Sequence, residues 1–217
     1  MSTSASASAE ATDAATASAV AHPYRWRVVD IVVAAVLGVA IGLLFWGWNI
    51  IGGAWFGAAD ALTPGLGGIA VGIWLIGGVI GGLVIRKPGA AFVVEVVAAI
   101  VSMLIGNVWG VGTVLSGIAQ GLGAELVFAL FFYRRFGIAV AMLAGVGAAV
   151  GAWVWEFFGG SSPNILKSLE FNAIYLTTLV ISGAILAGVV GWLLVRALAV
   201  TGALNRFAAG RELVREV

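Results

Sequence analysis

The residues able to do chemistry in this sequence lie inside its most apolar runs. Gln120 and Glu125 stand in residues 107–135, NVWGVGTVLSGIAQGLGAELVFALFFYRR, which end on Arg134 and Arg135. A polar or ionisable group at bilayer depth costs about 2 to 3 kcal/mol unless it is paired or faces a wet cavity, so each is a candidate for a function. At about 1.5 Å of rise per residue, Gln120 falls near the midplane of such a helix and Glu125 lies about 13 Å from the arginine pair. Thr113, Ser116 and Gln120 recur at helical spacing and make a polar stripe on one face. Asn172, Tyr175, Thr178 and Ser182 make a matching stripe later in the chain. Such stripes either hydrogen-bond neighbouring helices or, facing each other, line a pocket open at one membrane surface.

Further candidates flank these stripes. Trp46, Trp48, Asn49 and Trp55 gather where a first apolar run ends, and they fit either an aromatic belt or a loop folding over a flat ligand. Asn49 with Gly52 and Gly53 favours the loop. Asn107 and Trp109 fit a turn and a belt, or a ligand edge. Trp153 and Glu156 share one helix face, a pairing suited to a cationic or amine-bearing solute. Glu125 is turned about 140° away from Gln120, so it faces another neighbour. Its candidate partner is Glu95, which would make a pair of buried carboxylates with a structural or a gating role. Ala34, Gly38 and Gly42 recur every four residues and form a flat face for a close helix crossing, whose partner spacing alone does not identify.

The elements that must position these groups are membrane helices. The chain has 217 residues, 62% hydrophobic and 10% charged, with 32 glycines, against about 25% charged residues in soluble proteins. Residues 1–24 form a Ser-, Ala- and Thr-rich tail that holds the one histidine, His22, and lacks both the basic start and the apolar core of a secretory signal. It reads as disordered and cytoplasmic. Residues 25–200 form the membrane domain, with spans expected at 28–48, 65–85, 90–106, 107–135, 137–158 and 171–195. An outer loop at 49–60 follows the first span. Residues 201–217 form a cytoplasmic tail, within a stretch from Arg196 onward that reads as an amphipathic or exposed helix. Ten of the eleven cations, Arg25, Arg27, Arg86, Lys87, Arg134, Arg135, Arg196, Arg206, Arg211 and Arg215, then fall on one side and only Lys167 on the other. The positive-inside rule makes this an all-α integral membrane protein of six transmembrane helices with both termini in the cytosol. No cysteine is present, and neither a phosphate loop, a nucleophile with a base, nor a metal-ligand cluster appears. The chain therefore reads as no enzyme, with no catalytic residues, no cofactor, no metal and no nucleic-acid partner.

Several motifs together carry a family likeness. Arg86-Lys87-Pro88-Gly89-Ala90-Ala91, Glu95, Gly106-Asn107 and Gln120-Gly121-Leu122-Gly123-Ala124-Glu125 with Val127 and Phe128 resemble the YkoE family. So do Ile181-Ser182-Gly183-Ala184, Thr201-Gly202-Ala203-Leu204-Asn205 and Gly210-Arg211-Glu212-Leu213. The resemblance spans about residues 25–215. It implies an S component of an energy-coupling factor (ECF) transporter, in a bacterial cytoplasmic membrane, that captures thiamin or its hydroxymethylpyrimidine precursor from outside. It further implies partners, a transmembrane T component and two ATPase domains, with Ala34, Gly38 and Gly42 as the positions fitting the T-component interface. In such proteins the outer loop and the outer halves of helices four to six form the pocket. The expected substrate-binding set is Trp46, Trp48, Asn49, Asn107, Trp109, Ser116, Gln120, Trp153, Glu156, Asn172, Tyr175 and Thr178. An older family label invokes cobalt, but a chain with no Cys, no membrane His and three Met lacks the usual transition-metal ligands. Two other readings stay open: the same fold serving an unrelated small solute, and a membrane scaffold whose polar stripes are only interhelical glue.

Overall fold

The structure, a computed structural model, describes residues 24–160 and 162–210. These form helix α1 (Val28–Leu62), a 3-10 helix (Leu66–Leu75) running into α2 (Ile76–Ile85), α3 (Ala90–Ile105), α4 (Gly112–Leu130) and α5 (Ile138–Phe158). A short 3-10 turn (Asn164–Leu166) leads to α6 (Leu169–Ser182), a π-helical segment (Gly183–Val189) and α7 (Val190–Val200). No strand occurs among the described residues. Five helical stretches, Val28–Leu62, Leu66–Ile85, Gly112–Leu130, Ile138–Phe158 and Leu169–Val200, are long and apolar enough to cross a membrane. α3 is a shorter apolar helix of 16 residues that completes the set. The chain is thus a multi-pass membrane protein.

The second crossing is the hub. Leu66–Ile85 is 83% buried in its most apolar window, against 28 to 39% for the other four long stretches. Its glycines let neighbours approach: a Cβ at Gly81 would lie 2.7 Å from the Val94 Cβ and 2.8 Å from the Ala90 carbonyl. The core it anchors contains Leu75, Ile76, Val79 and Leu83, with Phe128 of α4 and Leu179 of α6, all fully buried. Dense packing of this kind must supply what the hydrophobic effect does not provide between helices already in lipid. The C-terminal turn folds back as well, with Leu204, Phe207 and Ala209 buried against the core.

The fold differs from the expected spans in two places. The stretch 49–60 is no loop, because α1 continues unbroken for 35 residues to Leu62, about 52 Å against a hydrocarbon thickness of about 30 Å. Nothing in it breaks a helix before Thr63 and Pro64, where Asp60 Oδ1 accepts the Gly65 amide at 2.7 Å. The sixth crossing runs on to Val200 through the π-helical segment. The expected N-terminal tail, including His22, lies outside the described residues apart from its last position, as does the C-terminal tail beyond residue 210.

One end of the bundle collects the arginines. Lys87 Nζ donates to the Arg25 carbonyl at 2.8 Å, and the Tyr24 hydroxyl to the Phe132 carbonyl at 3.3 Å. These bonds bring the start of α1 together with the α2–α3 and α4–α5 connections. Turns 63–65, 106–111, 159–160 and 162–168 lie at the opposite, far end.

Candidate functional site

The site grows from the far half of the hub crossing. There the backbone is wound as a ten-residue 3-10 helix, longer than the three or four residues usual for that form, and such stretches often mark functional segments. Trp74 is the one aromatic residue in this crossing. Its Nε1 donates to Asn49 Oδ1 at 2.8 Å, and Asn49 Nδ2 donates to Ser102 Oγ at 3.1 Å. The rings of Trp48 and Trp109 meet Trp74 edge to face at 6.4 and 5.7 Å, and Trp48 Nε1 donates to the Ala70 carbonyl at 3.0 Å. Gln120 joins this cluster to the midplane. Oriented as its neighbours require, its amide nitrogen donates to the Trp74 carbonyl (3.0 Å) and Glu95 Oε1 (3.1 Å), while its oxygen accepts from Ser116 Oγ at 2.7 Å.

A second cluster lies on α5 and α6. Tyr175 is buried, stacked on Phe171 at 5.6 Å with an 18° interplanar angle, and meets the edge of Phe56 at 6.2 Å. Its hydroxyl is the hydrogen-bonding neighbour of Glu156. Trp153 packs against Phe157 at 4.9 Å, and Lys167 Nζ lies 4.1 Å from the Phe171 ring centre. Four polar atoms at this end are enclosed with no hydrogen-bond partner: Asn107 Nδ2, Trp153 Nε1, Glu156 Oε2 and Asn172 Oδ1. An unsatisfied buried group costs about 1 to 3 kcal/mol. Two of these atoms, Asn107 Nδ2 and Trp153 Nε1, are donors and two, Glu156 Oε2 and Asn172 Oδ1, are acceptors.

Other expected site residues have structural partners. Thr178 Oγ1 lies within 3.1 Å of the Gly65, Ile174 and Tyr175 carbonyls, and Ser182 Oγ donates to the Ile69 carbonyl at 2.6 Å while accepting the Gly72 amide at 2.9 Å. Those hydroxyls bind the 3-10 helix to α6. The Asn107 Oδ1 accepts from Trp109 N, Gly110 N and Thr113 Oγ1, and so starts α4. Asn172 Nδ2 donates to the Asn164 and Ser168 carbonyls. Trp46 is exposed on α1.

Two expectations are corrected here. Glu95 and Glu125 do not pair. Glu95, 1% exposed, accepts the Gly78 amide at 2.6 Å in the first turn of α2, where the 3-10 winding gives way to α-helix. Glu125, half-buried, sits at the N-terminus of α3, accepting from Gly89 N (2.6 Å), Ala91 N (2.9 Å) and Phe92 N (3.2 Å). Each carboxylate neutralises the donor end of a helix. The Tyr133 hydroxyl, 2.8 Å from Glu125 Oε1, is pushed well above its ordinary range, first by burial and then by that carboxylate, and so stays a donor. Of the three residues expected to face the T component, two pack within the chain: Gly38 on Val97 and Gly42 on Ala98 and Val101 of α3. Finally, the aromatic loop expected after the first span is a helix that presents Trp48 and Asn49 to the hub. The sequence reading missed Trp74 and Ser102; each is the lone residue of its kind in its span, one aromatic and one hydroxyl, and that singularity was the available signal.

Comparison with known proteins adds the following. Residues 29–151 match the family described as ABC-type cobalt transport system, permease component. The chain is 37% identical over 195 residues to the "Putative HMP/thiamine permease protein YkoE" of Bacillus subtilis (strain 168), an alignment covering 88% of this chain and 94% of that protein. Its fold matches the crystal structure of an S-component of an ECF transporter with a TM-score of 0.81 at 36% identity, over 88% of this chain and 95% of the other.

Proposed function

The chain belongs to the YkoE family of S components, the substrate-capturing membrane subunits of energy-coupling factor transporters, and we propose on that premise that it takes up thiamin or its hydroxymethylpyrimidine precursor. It resides in the bacterial cytoplasmic membrane with the arginine end in the cytosol, as the distribution of cations favours. Its far end receives the solute from outside, and it works with a T component and two ATPase domains. The chain transports and does not transform.

The observation that carries the substrate reading is the set of partnerless buried atoms at the far end. An aminopyrimidine offers what they lack. Its exocyclic amine donates to Glu156 Oε2 and Asn172 Oδ1, and a ring nitrogen accepts from Trp153 Nε1. The aromatic cluster of Phe171 and Tyr175 supplies flat apolar faces for the ring, and Glu156 suits the positive charge of a thiazolium. The name of the matching family mentions cobalt. The described residues bring together no three His, Cys, Asp or Glu side chains, a donor set poorly suited to a transition metal, so an organic solute is favoured.

Thermal-shift measurements on the purified protein with thiamin, hydroxymethylpyrimidine and unrelated solutes test this, because only a bound ligand raises stability by mass action. Thiamin or the pyrimidine is expected to raise the melting temperature and unrelated vitamins to leave it unchanged. Trp153→Ala should weaken binding about tenfold or more, about 1.4 kcal/mol. A shift produced only by a solute without a pyrimidine ring sinks the substrate assignment and leaves the S-component assignment standing.

A further inference from the structure

The arginine end carries a feature used neither by the far-end site nor by the helix packing. A groove of about 340 Å3 runs between α1 and α3, walled by Trp26, Ile31, Ala34, Ala35, Val93 and Val97. All six side chains are apolar or, for Trp26, turn their polar atom elsewhere: Trp26 Nε1 donates to the Pro88 carbonyl at 2.9 Å. The groove closes where α1 and α3 meet, at Gly38 against Val97. From Trp26 to Ala35 its depth is about 13 Å at helical rise.

Its mouth is positively charged. Asp30, fully buried, is ion-paired to Arg27 at 2.9 Å and to Lys87, and Glu125 is occupied by backbone amides and Tyr133. The bond from Tyr24 to Phe132 sets the turn bearing Arg134 and Arg135 beside the start of α1. Near the mouth, Arg25, Arg27, Lys87, Arg134 and Arg135 outnumber Asp30 and Glu125 by five to two, and Arg86 adjoins Lys87. Arg25 is exposed beside Trp26.

We propose that this groove holds one acyl chain of an anionic phospholipid, with the lipid phosphate against Arg25 at the arginine end. A dry slot lined by hydrocarbon takes hydrocarbon, and the charge at its mouth selects an anionic headgroup over a zwitterionic one. A single acyl chain is the slender apolar object that a bilayer supplies.

Native mass spectrometry of the full chain, purified in a neutral detergent and supplied with phosphatidylglycerol or phosphatidylcholine of matched chains, tests the proposal. One phosphatidylglycerol should stay bound, about fivefold more than phosphatidylcholine, as one arginine provides toward a headgroup whose phosphate charge no choline neutralises. Ala35→Trp fills the groove from an exposed position and should abolish retention of both lipids. Arg25→Gln, which leaves the Asp30 ion pairs intact, should remove the preference while one lipid still binds. Ile31→Trp repeats the groove test from the neighbouring turn if the first variant melts below the parent in detergent. Equal retention of the two lipids by the parent overturns the proposal, as does a groove-filled variant that keeps its lipid or that loses only a co-purifying subunit.

Discussion

The two halves of the bundle treat enclosed polar groups in opposite ways. Toward the arginine end, every buried carboxylate oxygen has a donor. Asp30 has Arg27 and Lys87; Glu95 has the Gly78 amide and Gln120; Glu125 has three amides and Tyr133. At the far end, Asn107 and Trp153 each keep an enclosed donor without an acceptor, and Glu156 and Asn172 an enclosed acceptor without a donor. A fold selected for stability alone would fill or remove such atoms. An acidic residue in a membrane helix therefore does not announce its role by its type; the accounting of its partners separates a helix cap from a ligand contact.

Removing Asp30 should cut deepest into this contrast. Its side chain is fully enclosed and Lys87 is only 12% exposed, so Asp30→Ala leaves a cation without its partner. A loss of about 3 kcal/mol is expected, at the lower end for broken buried pairs because Arg27 can turn to water. Thermal melts of the purified protein would show it, with thiamin affinity unchanged. Glu125→Ala should follow at about 2 kcal/mol, since it strips the N-terminus of α3 of its acceptor. Loss of ligand affinity in either variant, at a temperature where it remains folded, would mean that the two halves are not separable.

Glu156→Leu probes the other half and should behave in reverse. Replacing a carboxylate that keeps one enclosed oxygen without a partner by an apolar side chain of similar size relieves that oxygen and leaves the Tyr175 hydroxyl alone, so the melting temperature is expected to stay level. Thiamin affinity should nevertheless fall about tenfold or more, about 1.4 kcal/mol. A melting temperature lowered as far as that of the Glu125 variant would place Glu156 among the structural carboxylates and end the comparison.

How far the sequence could be read follows the same division. The middle helices were legible because their ends carry local signals: Arg86-Lys87-Pro88 stops the hub crossing, and α5 starts at Ile138 and ends at Phe158 beside glycines. α1 was misjudged because Gly52, Gly53 and Gly57 suggest a loop in water yet are tolerated in a membrane helix. The candidate residues at the far end stand out by type and spacing, as amides, indoles and a carboxylate in apolar helices. Partners were not legible. Helical spacing gives a residue's face but not the neighbour across it, so the Gly38 and Gly42 face meeting α3, and Glu125 capping that same helix, required the tertiary arrangement. Trp74 lay hidden because nothing polar accompanies it in its own span.

Ser182 offers the finest test of the contrast. By spacing it belongs to the stripe of Asn172 and Tyr175, yet both hydrogen-bonding functions of its hydroxyl are satisfied by the 3-10 helix, the proton by the Ile69 carbonyl and a lone pair by the Gly72 amide. Ser182→Ala frees one enclosed carbonyl and one enclosed amide without changing any atom near Glu156. The side-chain bonds measured between membrane helices average about 0.6 kcal/mol, so two should cost about 1 kcal/mol. Binding of thiamin to the folded protein should not change. If instead the variant keeps its stability and loses affinity, the stripe on α6 is one continuous ligand surface reaching the midplane, and the boundary between structural and binding hydroxyls lies deeper than Thr178.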